Sequence, residues 1–117
     1  MELPKILEVT LRDGSYSIDF KFTAKDTEVI GGALDSLGFE FVEIGHGVGL
    51  GASEKGYGKA AETDEKYLQV AAATFKNAKW GMFCIPGIAS IDDIDMAADY
   101  GMNFLRVGTN VNEVEQS

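Results

Sequence analysis

Four short runs of β-forming residues alternate with three helix-length segments along this chain, and that order restricts the fold more than any other feature. Residues 6–11 are rich in β-formers and bounded by Pro4 and Gly14. Thr23-Ala-Lys-Asp26 then has the Thr-x-x-acid pattern of a helix start, in which hydroxyl and carboxylate each accept from a free backbone N–H. Val29, Ile30, Ala33, Leu34 and Leu37 follow at helical spacing until Gly38 ends the run. Residues 39–44 form the second apolar run, and a glycine-rich loop follows over 45–58. Thr63 or Asp64 opens a second helix, with Leu68, Ala71, Ala72 and Phe75 predicted on one face. Residues 80–85 are a third strand, closed by Pro86-Gly87. Ser90-Ile-Asp-Asp93 repeats the capping pattern ahead of Ile91, Ile94, Ala97 and Ala98, and Gly101 ends that helix before a fourth strand at 104–107. The resulting βαβαβαβ order predicts a parallel sheet with right-handed crossovers.

A weak internal repeat accompanies this order. Residues 38–45 and 101–108 match at both terminal glycines and at Phe41 and Phe104, with similar residues at Val42 and Leu105 and at Ile44 and Val107. The offset spans two βα units, as regular construction requires. Two architectures fit: a small doubly wound domain, or part of a (β/α)₈ barrel, which needs eight strands and about 250 residues.

Composition excludes several function classes. Apolar residues make up 45% of the chain and charged residues 25%, which is the balance of a folded globular protein rather than a disordered one. The 19 acidic and 10 basic side chains leave a net charge of −9, which disfavours nucleic acid or an anionic membrane as partner. Most of these acids are expected to solvate outer helix faces. Cys84 is the single cysteine, so no internal disulfide forms, and its apolar surroundings predict a buried, inert thiol. No leader or membrane-length apolar run is apparent, and the cytoplasm is the expected location.

In a parallel α/β sheet the functional residues gather at the carboxyl ends of the strands. Those ends carry Arg12-Asp13, then Glu43 and His46, then Pro86-Gly87, then Arg106 and Asn110. A carboxylate such as Asp13 can bind a divalent cation, and an adjacent guanidinium can grip a carboxylate or stabilise a developing enolate. Asp13-Gly14 also reads as an ordinary turn pair. His46, the one histidine, precedes Gly47, Gly49 and Gly51, which permit close backbone approach to a ligand. The loop misses the third-glycine spacing of a dinucleotide fingerprint and runs on too long before its helix.

Taken together, Val9-Thr-Leu-Arg-Asp-Gly14, the loop segment Val42-Glu-Ile-Gly-His-Gly-Val-Gly-Leu-Gly-Ala-Ser53, Pro86-Gly-Ile88 and Arg106-Val-Gly-Thr109 resemble the 4-hydroxy-2-oxovalerate aldolases. These belong to the metal-dependent lyases that include hydroxymethylglutaryl-CoA lyase and isopropylmalate synthase. The resemblance implies that residues 1–117 are the N-terminal half of a TIM-barrel catalytic domain. It implies Asp13 as a ligand to Mn²⁺ or Mg²⁺ and Arg12 as the group that stabilises a pyruvate enolate. Tyr16 and His46 are the further candidate catalytic residues, and Glu43, Gly47, Gly49 and Asn110 are candidate substrate and loop residues around the site. The implied reaction is reversible carbon–carbon cleavage of a small 4-hydroxy-2-oxo acid to pyruvate and an aldehyde, through an enolate held on the metal. An acylating aldehyde dehydrogenase is the implied protein partner.

Three departures accompany the match. Tyr16 stands where the aldolases carry a catalytic histidine; tyrosine can transfer a proton, but its ordinary pKa is much higher than that of imidazole, so the same role needs a strong shift or another group. Asn110 stands where they carry another histidine. The His-x-His metal pair of these lyases falls on a later strand, outside this sequence. The segment alone is therefore expected to be inactive and, with open sheet edges, to self-associate. A Claisen-type condensation with an acyl-CoA and a non-catalytic, decayed barrel fragment are the competing readings.

Overall fold

A computed structural model describes the chain over residues 5–108. Four parallel strands, β1 (Leu7–Glu8), β2 (Phe41–Ile44), β3 (Lys79–Cys84) and β4 (Phe104–Val107), lie side by side in the order β1-β2-β3-β4. Between them run α1 (Ala24–Ser36), α2 (Asp64–Thr74) and α3 (Ile91–Asp99). Each strand pairs with its sequence neighbour, so successive right-handed crossovers step in one direction and put the helices on one face. A doubly wound sheet reverses direction at its centre and is thereby excluded. The architecture is that of the first half of a (β/α)₈ barrel.

The capping signals perform as their chemistry requires. Thr23 with Asp26, and Ser90 with Asp93, form reciprocal capping boxes at the starts of α1 and α3, and Thr63 caps α2 through the Lys66 N–H. Gly38 and Gly101 follow the ends of α1 and α3. Strand bounds differ at the amino end. Only Leu7–Glu8 of the expected 6–11 run pairs in the sheet, because the Val9 carbonyl accepts from the N–H groups of Arg12, Asp13 and Gly14 at 3.1, 2.7 and 3.4 Å and turns the chain away. A six-residue 3₁₀ helix, Asp13–Ile18, follows that turn.

The core between sheet and helices contains Val42, Ile44, Trp80 and Met82 from the strands, packed on Tyr67, Leu68, Ala71, Phe75 and Ala97. Cys84 is buried, and burial pushes its thiol pKa up, which fits the inert role. The expected face of α2 needs correction, and the apolar sets named on α1 and α3 are buried only in part. On α2, Tyr67 is buried and Ala72 is exposed; the Tyr67 hydroxyl donates to the Phe22 carbonyl, and burial raises its pKa to about 12. On α1, Ile30 and Leu34 pack on the core while Val29, Ala33 and Leu37 are exposed. On α3, Ile91 and Ala98 are exposed. Gly31 of α1 meets Phe75 and Gly32 meets Thr74, so helical geometry turns Val29, Ala33 and Leu37 to the flank away from α2. Among the described residues no helix is long and apolar enough to cross a membrane.

Asp35, near the end of α1, ties this helix to the β3 approach. Its carboxylate accepts from the backbone N–H groups of Lys76, Asn77 and Ala78 and from the Asn77 amide. Burial acts to raise its pKa, but these donors outweigh burial and hold it below the ordinary value. A lowered folded pKa gives stability that is present above the unfolded value of about 4 and is lost as pH falls further. Asp35→Ala is therefore expected to cost about 2 kcal/mol at pH 7, the worth of hydrogen bonds to a charged group. Urea unfolding should show the gap between the two proteins narrowing at pH 3; an equal gap at both pH values would contradict the assignment.

Candidate active site

Period-two alternation along the strands turns a second set of residues to the sheet face opposite the helices. In register, Glu43 lies beside Gly81, Gly81 beside Phe104, and Phe83 beside Arg106. Phe41 and Phe104 reach across the strand between them to an edge-to-face contact at 6.0 Å. They pass over Gly81, where any Cβ would collide with Phe104. This face is the inner wall of the barrel.

Glu43 is the centre of that wall. Its side chain is fully buried and accepts three charge-assisted hydrogen bonds. Arg12 Nε donates to Oε1 at 2.7 Å, while Arg106 donates from Nη2 to Oε1 and from Nε to Oε2, both at 2.8 Å. Both guanidinium groups lie over the Phe83 ring, at 4.8 Å for Arg12 and 4.5 Å for Arg106. Hydrogen bonding to Glu43 raises the Arg106 pKa further, against the opposing effect of partial burial. With two cations on one buried anion, Glu43 is over-matched in charge, and the exposed Asp13 carboxylate beside Arg12 makes up the balance.

The turn over the Val9 carbonyl delivers Arg12 to this cluster. Its side chain is only 11% exposed, and its Nη1 also donates to the Gly47 carbonyl at 3.1 Å. Nη2 makes no hydrogen bond among the described residues. Asp13 leaves 60% of its side chain exposed, 3.5 Å from Arg12 Nη1. Tyr16 follows Asp13 by three residues in a 3₁₀ helix, the spacing that eclipses side chains on one face. It is about half exposed, with its ring edge-on to Phe20 at 5.1 Å.

The glycine-rich loop folds down on this helix. A Cβ at Gly47 would fall 2.9 Å from Ser15, Tyr16 and Phe20 atoms, so only glycine permits the approach that brings its carbonyl to Arg12. Gly49 has φ of 109° and lies against the Phe83 carbonyl, which accepts from the Leu50 N–H at 2.8 Å. His46 holds the loop closed. It is buried and stacked on Phe20 at 4.0 Å; its Nε2 bonds the Gly58 carbonyl at 2.8 Å and its Nδ1 accepts from the Val48 N–H at 3.0 Å. A carbonyl only accepts, so the Nε2–H tautomer is fixed. Both ring nitrogens are thus engaged, and proton transfer or metal ligation by His46 would require breaking the loop's own bonds. Phe20, at a left-handed φ of 62°, is the strained support of this stack.

The structure therefore brings Arg12, Asp13, Tyr16, Glu43, Gly47 and Gly49 to one end of the sheet and gives His46 a loop-closing position. Asn110 lies outside the described residues. Among the described residues, no group of three or more His, Cys, Asp or Glu side chains is arranged to hold a metal. Asp13 fits a hard divalent cation as one oxygen ligand, since its carboxylate is open to solvent. In the sequence Arg106 stands at a strand end with no role attached, and nothing there singles out Phe83 or Phe20.

The match to known proteins covers nearly the whole chain. The HMGL-like family model matches residues 3–116. The chain belongs to the HMGL-like family. Among its relatives, a 4-hydroxy-2-oxovalerate aldolase of Moorella thermoacetica is 43% identical over 110 residues, covering 94% of this chain and 32% of the relative. An oxaloacetate decarboxylase of Mycobacterium tuberculosis is 42% identical over 112 residues, covering 96% and 33%. A 4-hydroxy-2-oxovalerate aldolase of Carboxydothermus hydrogenoformans is 39% identical over 111 residues, covering 95% and 33%. The chain thus spans about one third of the length of these relatives.

Proposed function

We propose that this chain supplies the first four strands of a longer lyase, the full-length protein, which cleaves a carbon–carbon bond of a 2-oxo acid and leaves pyruvate as its enolate. The leading reaction is reversible cleavage of a 4-hydroxy-2-oxo acid to pyruvate and an aldehyde. The observation that carries this reading is the pre-set Arg12 guanidinium, clamped by Glu43 and the Gly47 carbonyl beside an open Asp13 carboxylate. A donor group already fixed where negative charge develops stabilises that charge without reorganising. The relatives named as aldolases support the substrate class.

In this mechanism the unbonded edge of Arg12 faces the enolate oxygen as the bond breaks. Asp13 would hold Mn²⁺ or Mg²⁺, which when bound supplies Lewis-acid polarisation of the oxo acid. Tyr16, on the same face of the 3₁₀ helix as Asp13, is assigned to proton relay at the C4 hydroxyl: its phenolic oxygen accepts that proton as its own passes to water. His46, Gly47 and Gly49 shape the loop wall rather than react. The exposed apolar flanks of α1 and α3 are surfaces for the remaining barrel elements. A cytoplasmic location, an aldehyde dehydrogenase partner and self-association belong to the same reading.

The Mycobacterium tuberculosis relative favours a second reaction on the same machinery, decarboxylation of oxaloacetate. Loss of CO₂ from that acid leaves the same pyruvate enolate, so Arg12 serves both. The test is pyruvate formation by the full-length protein from 4-hydroxy-2-oxovalerate and from oxaloacetate, with and without a divalent cation. Asp13→Asn is expected to lower turnover at least ~100-fold and to weaken Mn²⁺ binding in an EPR titration. Unchanged turnover and Mn²⁺ affinity would sink the ligand assignment.

A further inference from the structure

The hydrogen bonds to Glu43 are unequal, and the inequality has a mechanical consequence. Arg12 holds this carboxylate at one oxygen only, through Nε on Oε1. A glutamate terminus has a broad torsional preference, so one bond leaves the carboxylate plane free to turn. Arg106 removes that freedom, because Nε on Oε2 and Nη2 on Oε1 form a two-point fork that fixes both oxygens. Phe83 beneath the two guanidinium groups limits how far either can tilt. The bare backbone of Gly81, in register between Glu43 and Phe104, leaves no side chain on that strand position between Glu43 and β4.

Without Arg106 the Glu43 carboxylate has, among the described residues, Arg12 alone to satisfy it. A buried carboxylate with an unmet oxygen draws further donors from its remaining partner, and the preferred arginine–carboxylate geometry is two-point. Arg12 would then turn a second nitrogen to Glu43 and away from Gly47 and the reacting oxygen. We propose that Arg106 is a positioning residue for Arg12: by fixing the plane of the Glu43 carboxylate it aims the Arg12 guanidinium, without touching substrate itself. The inference rests on the reading of Arg12 as the group that stabilises the enolate.

A double-variant cycle in the full-length protein separates the two claims. Arg106→Met is expected to lower kcat for pyruvate release about 30-fold with KM changed by less than about threefold, since misplacing a catalytic group slows the chemical step. In an Arg12→Met background the same change is expected to cost no more than about twofold, because a residue acting through Arg12 has nothing left to aim. Arg106→Lys keeps the charge but loses the fork, and it should reproduce most of the loss. If Arg106→Met does not fold, the cycle is run with Arg106→Lys. Equal losses in both backgrounds, or wild-type kcat in the foldable variant, would overturn the proposal. Wild-type turnover in Arg12→Met alone would instead overturn the assigned role of Arg12.

Discussion

Replacing Glu43 by glutamine in the full-length protein is expected to lower its unfolding free energy by about 3 kcal/mol, the low end of the cost of breaking a buried ion pair. Glutamine has nearly the same shape, so the loss isolates charge. The variant leaves Arg12, 11% exposed, against the amide NH₂ or an uncharged oxygen where it had a carboxylate. Arg106 is 41% exposed and recovers part of its solvation, which is why the expected loss sits at the low end of that range. Replacing the charged group and Arg12 together, as Glu43→Leu with Arg12→Met, should cost less than Glu43→Gln alone. Buried ion pairs are dear to break and often cheap to delete as a unit. Urea unfolding of the three proteins measures both effects. A Glu43→Gln loss below about 1 kcal/mol would mean the cluster is solvated in the full-length protein, contrary to its burial here.

The largest expected effect on activity belongs to Arg12. Arg12→Met should lower kcat for pyruvate release by about 10²–10³, the range seen when one donor to a developing oxyanion is removed. Arg12→Lys should do little better. The three donors of lysine radiate from one nitrogen, so it cannot span the Glu43 carboxylate and the Gly47 carbonyl from separate atoms as the planar guanidinium does. The kinetic assay discriminates this from a binding role: a change confined to KM would make Arg12 a substrate anchor rather than a group acting as charge develops.

The order of elements was legible because each signal is local. Thr23 with Asp26 and Ser90 with Asp93 are three residues apart, and both pairs form the reciprocal caps that their spacing implies. The bounds of β4 followed from its flanking residues in the same way. Helix faces were less legible, because apolar periodicity gives the width of a face but not the neighbours that cover it. Val29, Ala33 and Leu37 continue the stripe of Ile30 and Leu34, yet they sit on the flank away from α2. The 3₁₀ helix was invisible, since nothing in Asp13–Ile18 repeats; it arises from three N–H groups converging on the Val9 carbonyl.

Within the site, Arg12 and Asp13 were found from position and residue type. The strand end proved to be a turn beyond the strand, and that turn buries Arg12 and leaves the Asp13 carboxylate open. His46 was conspicuous for the same reasons, but its partners lie at Gly58 and Phe20, too far along the chain for spacing to reveal that both nitrogens are taken. The signal for Arg106 did exist in the sequence. The repeat aligns Glu43 with Arg106 and Phe41 with Phe104, and those equivalent residues meet across β3 as an ion pair and an aromatic pair. Opposite charges at equivalent positions two strands apart were a contact written into the repeat.

Enolate formation is the central claim, and exchange of the pyruvate methyl protons with D₂O measures it without knowledge of the aldehyde. The full-length protein with Mn²⁺ or Mg²⁺ should wash deuterium into the methyl group, followed by ¹H NMR, at a rate at least ~100-fold above that of its Arg12→Met variant. Exchange no faster than in buffer with the metal ion, or equal in wild type and Arg12→Met, would contradict the account.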